Sequence, residues 1–80
     1  MEDLRRQLDD IDRQLVPLFA RRQEVSRAIG AYKKAHGLPV QDTVREAAIL
    51  ESRADMAPEH QQKVETLYRE ILRLSREVQE

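Results

Sequence analysis

The eighty-residue chain has no cysteine, no tryptophan, two glycines, three prolines and three aromatic residues. Without cysteine there is no disulfide, no thiolate nucleophile and no Cys-ligated metal, and the redox compartment stays open on this criterion. A glycine-rich phosphate loop, a Ser-His-Asp set and a basic stripe interleaved with aromatics are all missing. No apolar run approaches the ~18 residues of a membrane span, and the opening residues 1–7 lack the apolar region of a signal peptide. A cytoplasmic protein with no membrane partner is expected. An excess of one charge is also lacking: 14 basic and 15 acidic residues leave a net charge of -1. The general field that draws a protein to nucleic acid is therefore absent, and any anion site must be local. Arg21, Arg22 and Arg27 are close in sequence, but a helix spreads them around its axis, so no nucleic-acid partner is expected.

What the chain does have is charge and periodicity. Charged residues make up 36% and hydrophobic residues 40%, against typical values of roughly 25% and 45–50%, a shift that suits long exposed helices. Apolar residues recur at Leu4, Leu8, Ile11, Leu15, Leu18, Val25, Ile29 and Tyr32, in steps of three and four with one position missing, Arg22. The spacing predicts an all-α domain over residues 1–80 with three helices: a long one over about 3–34, a loop over 35–42, a short one over about 43–54 and another long one over about 58–79. Pro17 should kink the first helix or split it, at a cost of about 3 kcal/mol or more; a kink is favoured because the apolar register continues across it. Asp42 can cap the second helix, and Pro58 suits a first helical position ahead of Val64, Leu67, Ile71, Leu74 and Val78.

Length then poses a geometric problem. At 1.5 Å per residue the first helix runs about 48 Å, whereas a compact 80-residue globule is about 30 Å across. One chain cannot cover that helix, so an entwined two-fold homodimer built on it is expected. The Gly37–Pro39 loop and the short second helix interrupt the repeat too often for a plain coiled coil.

Several polar residues sit in or beside the apolar pattern. Arg22 occupies a seam position, where a guanidinium needs an anion, either a carboxylate of the protein or a ligand. Lys33 lies about three turns farther along nearly the same side, so the two cations can converge on a small dianion. Ser75 and Gln79 form a neutral hydrogen-bonding pair four residues apart, and Arg45 with Glu46 opens the second helix. Taken singly, each of these also reads as ordinary surface polarity. His36 and His60 have no partner at metal-ligand spacing, so no metal is expected.

Together the residues resemble the all-helical class of chorismate mutases. The pattern appears as Leu4-Arg5, Ile11-Asp12, Arg21-Arg22-Gln23-Glu24, Gly30-Ala31-Tyr32-Lys33, Pro39-Val40-Gln41-Asp42, Arg45-Glu46, Ser75 and Gln79, and it covers nearly the whole chain. The resemblance implies rearrangement of chorismate to prephenate, with no cofactor, in a homodimer with composite sites. It implies that Arg22 and Lys33 bind the substrate carboxylates, Ser75 assists at a carboxylate, Asp42 and Glu46 hold the ring hydroxyl, and Arg45 lines the site. Lys33 and Gln79 would address the ether oxygen, and Arg5 would enter from the partner chain. Geometry independently supports the last point, because Arg5 lies ~25 Å from Arg22 and ~42 Å from Lys33 along one helix. The rival readings are a lyase of the same fold acting on isochorismate and a helical dimerisation module without catalysis.

Overall fold

The computed structural model describes residues 1–80. It contains α1 (Glu2–Ala35), α2 (Thr43–Asp55), a 3-10 turn (Pro58–His60) and α3 (Gln61–Gln79). Glu2 and Asp3 in the first turn of α1 and Lys33 and Lys34 in its last turn suit the helix dipole. α1 stops in a Schellman motif: the Leu38 N–H donates to the Lys33 carbonyl at 2.8 Å and Gly37 N–H to Lys34 at 3.4 Å, with Gly37 at φ 66°. Glycine takes that left-handed conformation without a Cβ penalty. Asp42 caps α2 by accepting from the Arg45 N–H at 2.9 Å.

One of the two outcomes open at Pro17 falls away, and one sequence expectation needs correction. Pro17 does not split the first helix, which runs unbroken from Glu2 to Ala35 with the proline inside it. The carbonyl that loses its partner at Pro17 is that of Arg13, on an exposed stretch of α1, and it can turn to solvent. Residues 58–60 form a 3-10 turn rather than the start of an α-helix. Ala57 has no side-chain cap to offer, and the shorter bond from the His60 N–H to the Ala57 carbonyl (2.8 Å) satisfies the entry instead.

α3 is the central element. It runs parallel to α1, so that Leu67, Ile71 and Leu74 meet Leu15, Val16 and Phe19 at one end and Gln79 meets Lys33 at the other. α2 returns antiparallel along the other side of α3, pairing Arg53 with Tyr68 and Glu46 with Arg76. The backbones of α1 and α2 stay more than 8 Å apart, Cα to Cα.

The apolar core is thin: Ile49, Ala54 and Leu72 are the buried hydrophobic residues. Leu4, Leu8, Ile11, Leu15, Leu18 and Val25 remain between 55% and 61% exposed, a stripe along α1 that this chain leaves uncovered. Accessible surface is 6568 Å², against about 5,000 Å² for a folded monomer of this mass. The radius of gyration, 15.2 Å, likewise exceeds the ~12 Å of a compact chain. No helix is long and apolar enough to cross a membrane.

Six of the seven ion pairs join residues three or four apart on exposed helix faces, where such pairs contribute little. Among them, the hydrogen bond from Arg73 holds the Glu70 carboxyl below the usual carboxylate range. What this pair adds to stability is present at neutral pH and is lost as pH falls through that lowered value. The seventh pair, Arg76–Glu46, joins two helices and is half-buried.

Candidate active site

Where the C-terminal ends of α1 and α3 meet the start of α2, a cleft of about 120 Å³ opens. Its walls bring together Lys33, Asp42, Arg45, Glu46, Ser75 and Gln79, six of the eight residues singled out from sequence, with Ile29, Val40, Ile49, Leu72 and Arg76. Helical spacing explains the gathering. Asp42, Arg45, Glu46 and Ile49 fall on one face of α2 in steps of three and one and three, and Leu72, Ser75, Arg76 and Gln79 repeat those steps on α3.

Lys33 is held from two sides. Its Nζ donates to the Val40 carbonyl at 2.7 Å and to Gln79 Oε1 at 3.0 Å. An ammonium has three protons, so one remains for a ligand. Because Lys33 can only donate, the amide of Gln79 must turn its oxygen toward it, and Nε2 then donates to Ser75 Oγ at 3.2 Å. Ser75 in turn shares a buried 2.7 Å hydrogen bond with Ser26 Oγ. This chain of contacts fixes the cation and the amide relative to one another before any ligand enters, and Gln79 keeps a second N–H free.

Gly30 makes the arrangement possible. A Cβ at Gly30 would stand 2.5 Å from Gln79 Cα and 2.8 Å from its carbonyl oxygen, so backbone meets backbone there. Gly30→Ala is expected to lower the melting temperature by roughly 5–10 °C. Overpacking of typically 1–3 kcal/mol outweighs the ~1 kcal/mol that Ala gains over Gly in a helix, and each kcal/mol moves the midpoint by about 4–8 °C in a domain of this size. An unchanged or raised midpoint in a thermal melt would show that α3 does not rest on Gly30.

Glu46 Oε1 accepts from Arg76 Nη1 at 2.6 Å, and Asp42 uses Oδ1 on its cap bond. The cleft therefore combines cations, ionisable acceptors and neutral amide and hydroxyl groups over an apolar floor of Ile29, Ile49 and Leu72.

The other two sequence candidates lie elsewhere. Arg22 does not line the cleft; its guanidinium carbon sits 5.9 Å from the Tyr68 ring centroid, with Arg53 at 6.0 Å from the same ring. Within the chain Arg22 has the aromatic face and no carboxylate partner, which removes the intramolecular ion pair and leaves a ligand or a second chain to supply the anion. Arg5 is near the far end of α1, exposed and paired with Glu2 at 3.4 Å. Sequence reasoning missed Arg76, Ser26 and Tyr68. Arg76 was discoverable, since it stands four residues after Leu72 and three before Gln79, on the face that carries the chosen pair. No group of three or more metal-ligating side chains forms in the chain.

Comparison with known proteins places the chain by fold and sequence. A conserved hypothetical protein from Pyrococcus furiosus superposes with a TM-score of 0.75 at 35% identity, over 96% of this chain and 91% of that one. The T-protein of Haemophilus influenzae is 43% identical over 53 residues, 66% of this chain and 14% of that protein. A 3-dehydroquinate dehydratase of Pyrobaculum aerophilum is 46% identical over 52 residues, 65% of this chain and 17% of that protein. The chain thus spans about a seventh of the length of these curated relatives. The family described as chorismate mutase type II matches residues 4–80, nearly the whole sequence and every residue of the cleft, and to that family the chain belongs.

Proposed function

We propose that this protein is a chorismate mutase that rearranges chorismate to prephenate in aromatic amino-acid biosynthesis, as an entwined homodimer with two composite sites. The observation that carries the reading is the convergence of Lys33, Gln79, Glu46 and Asp42 from three helices on one cleft. Family membership supplies the substrate.

The reaction explains the residue types. Chorismate is a dicarboxylate whose enolpyruvyl ether bond breaks as a carbon–carbon bond forms, through a folded, chair-like transition state in which the ether oxygen gains negative charge. No proton is transferred and no covalent intermediate forms, so neither a nucleophile nor a cofactor is needed. The free proton of Lys33 and the free N–H of Gln79 address the ether oxygen, where donors already in place are worth more in the transition state than in the ground state. The charge of Lys33 also attracts a carboxylate, with Ser75 assisting, while Arg22, outside the single-chain cleft, takes the other carboxylate in the completed composite site; Asp42 and Glu46 accept from the ring hydroxyl, and Arg45 lines the wall. Holding the substrate in its folded shape supplies the remainder of the acceleration.

A second chain completes the site. The cleft of one chain, about 120 Å³, is smaller than the ~300 Å³ and upward typical of ligand sites, and Arg22 faces no anion within the chain. An antiparallel copy of α1 crossing at Pro17 covers the apolar stripe and places the partner's Arg5 opposite Ile29, which lines the cleft. The excess surface of the single chain, on the order of 1,500 Å², is the share one partner brings to a large, stable interface.

Incubation with chorismate and, separately, isochorismate tests the reading: loss of chorismate with formation of prephenate is expected. Pyruvate release from isochorismate alone would select the lyase, and inertness to both a non-catalytic module. Mixing Arg5→Ala chains with Arg22→Ala chains tests the composite site. Random exchange makes half the dimers mixed, each with one intact site, so about a quarter of parent activity should return. Proven heterodimers without recovery would place both arginines in the same chain's site.

A further inference from the structure

Arg76 has no role in the mechanism above, yet its contact is unlike any other ion pair in the chain. It alone joins two helices, its side chain and that of Glu46 are only 28% and 21% exposed, and the Nη1–Oε1 distance is 2.6 Å. Both residues line the cleft. A glutamate side chain has three rotatable bonds, and without a partner Glu46 would sample several rotamers or turn to the nearby cations Lys33 and Arg45. The guanidinium takes Oε1 and leaves Oε2 for a ligand.

We infer that Arg76 is a positioning residue that sets substrate specificity: by fixing Glu46 through Oε1, it aims the second carboxylate oxygen at a hydroxyl on the bound ring. The inference rests on the mutase reading and deepens it. A carboxylate held in place discriminates between ring substrates that carry the hydroxyl and those that lack it, because the analogue leaves the part-buried Oε2 without a donor. The same pair also ties α2 to α3 at the cleft, so selectivity and local packing share one contact.

The test compares kcat/KM for chorismate with kcat/KM for its analogue lacking the ring hydroxyl. The parent should prefer chorismate by about ten- to a hundredfold, the range of a hydrogen bond to a charged group. Glu46→Gln and Arg76→Gln should each bring the ratio to within about threefold of unity, and the double variant should lower it no further. Arg76→Lys keeps the charge without the planar fork and should fall between, with the ratio reduced about threefold. A purely structural role would lower the melting temperature of Arg76→Gln and leave the ratio at the parent value; direct binding of a substrate carboxylate by Arg76 would depress both substrates equally. Either result overturns the inference while the mutase reading stands. Should Arg76→Gln fail to fold, Arg76→Lys decides by the same ratio, an unchanged value counting against. No turnover of chorismate by the parent protein overturns both.

Discussion

Lys33→Ala is expected to lower kcat for chorismate by about 10²–10³-fold, the cost of removing one donor aimed at developing negative charge. The side chain does three things at once. Two of its protons go to the Val40 carbonyl and Gln79 Oε1, which hold the ammonium still, and the third points the charge at the ligand. Removing it also releases Gln79, the second donor proposed for the ether oxygen, so Gln79→Ala in the Lys33→Ala background should cost much less than in the parent. Helical circular dichroism should stay near the parent's, because Lys33 lies in the last turn of α1, beyond the apolar contacts with α3. Kinetics within threefold of the parent would remove Lys33 from the reaction and leave the cleft without its best-placed cation.

Leu8→Glu should unfold the protein at micromolar concentration. Within one chain Leu8 is 61% exposed, and a polar substitution at such a surface position ordinarily changes stability by no more than about 0.5 kcal/mol. In the proposed dimer the same residue lies in the seam, packed on the apolar stripe of the partner's α1. There the change removes about 1.5–3 kcal/mol of apolar burial per site and buries an unpaired carboxylate, and two-fold symmetry doubles the loss. A chain with so small a core has no stable monomer to fall back on, so dissociation and unfolding should coincide. Circular dichroism with sedimentation separates the outcomes: a helical variant with parent-like melting would mean that α1 is not the interface.

Most of this architecture was legible because helices announce themselves locally. The three-four spacing from Leu4 to Tyr32, the Asp42 cap and the Gly37 stop are all properties of neighbouring residues, and each stands where the spacing put it. The excess of exposed apolar residues on the first helix followed from its length alone. Pro17 left a kink and a split both open because the cost of an interior proline depends on what surrounds it; on an open helix face the orphaned carbonyl can reach solvent, and the helix continues as its apolar register suggested. The entry to α3 was misplaced by a turn because a proline start does not distinguish 3-10 from α geometry.

The site was less legible than the fold. Lys33, Arg45, Glu46, Ser75 and Gln79 stood out as polar residues beside the apolar pattern and Asp42 as a cap, but their roles came only from the resemblance, and six side chains from three helices meet only once the helices are packed. Periodicity could not have revealed that Gly30 lets two backbones touch, since a glycine's value there lies in the Gln79 backbone across from it. Nor could it assign Arg22 to the face of Tyr68, a contact between residues 46 apart in sequence. Arg76 was overlooked for a different reason: on a helix rich in Arg and Glu, one inter-helix ion pair looks in sequence like the surface pairs around it.

The most direct test of the central claim is proton NMR of chorismate incubated with the protein in deuterated buffer. A rearrangement driven by positioning and electrostatics, with no acid, base or nucleophile, predicts prephenate as the sole product, with no more deuterium on carbon than authentic prephenate takes up in the same buffer, and with formation slowed by about 10²–10³-fold in the Lys33→Ala variant. Chorismate left unchanged, release of pyruvate, or deuterium entering the pyruvyl methylene faster than it enters authentic prephenate in the same buffer would contradict the account.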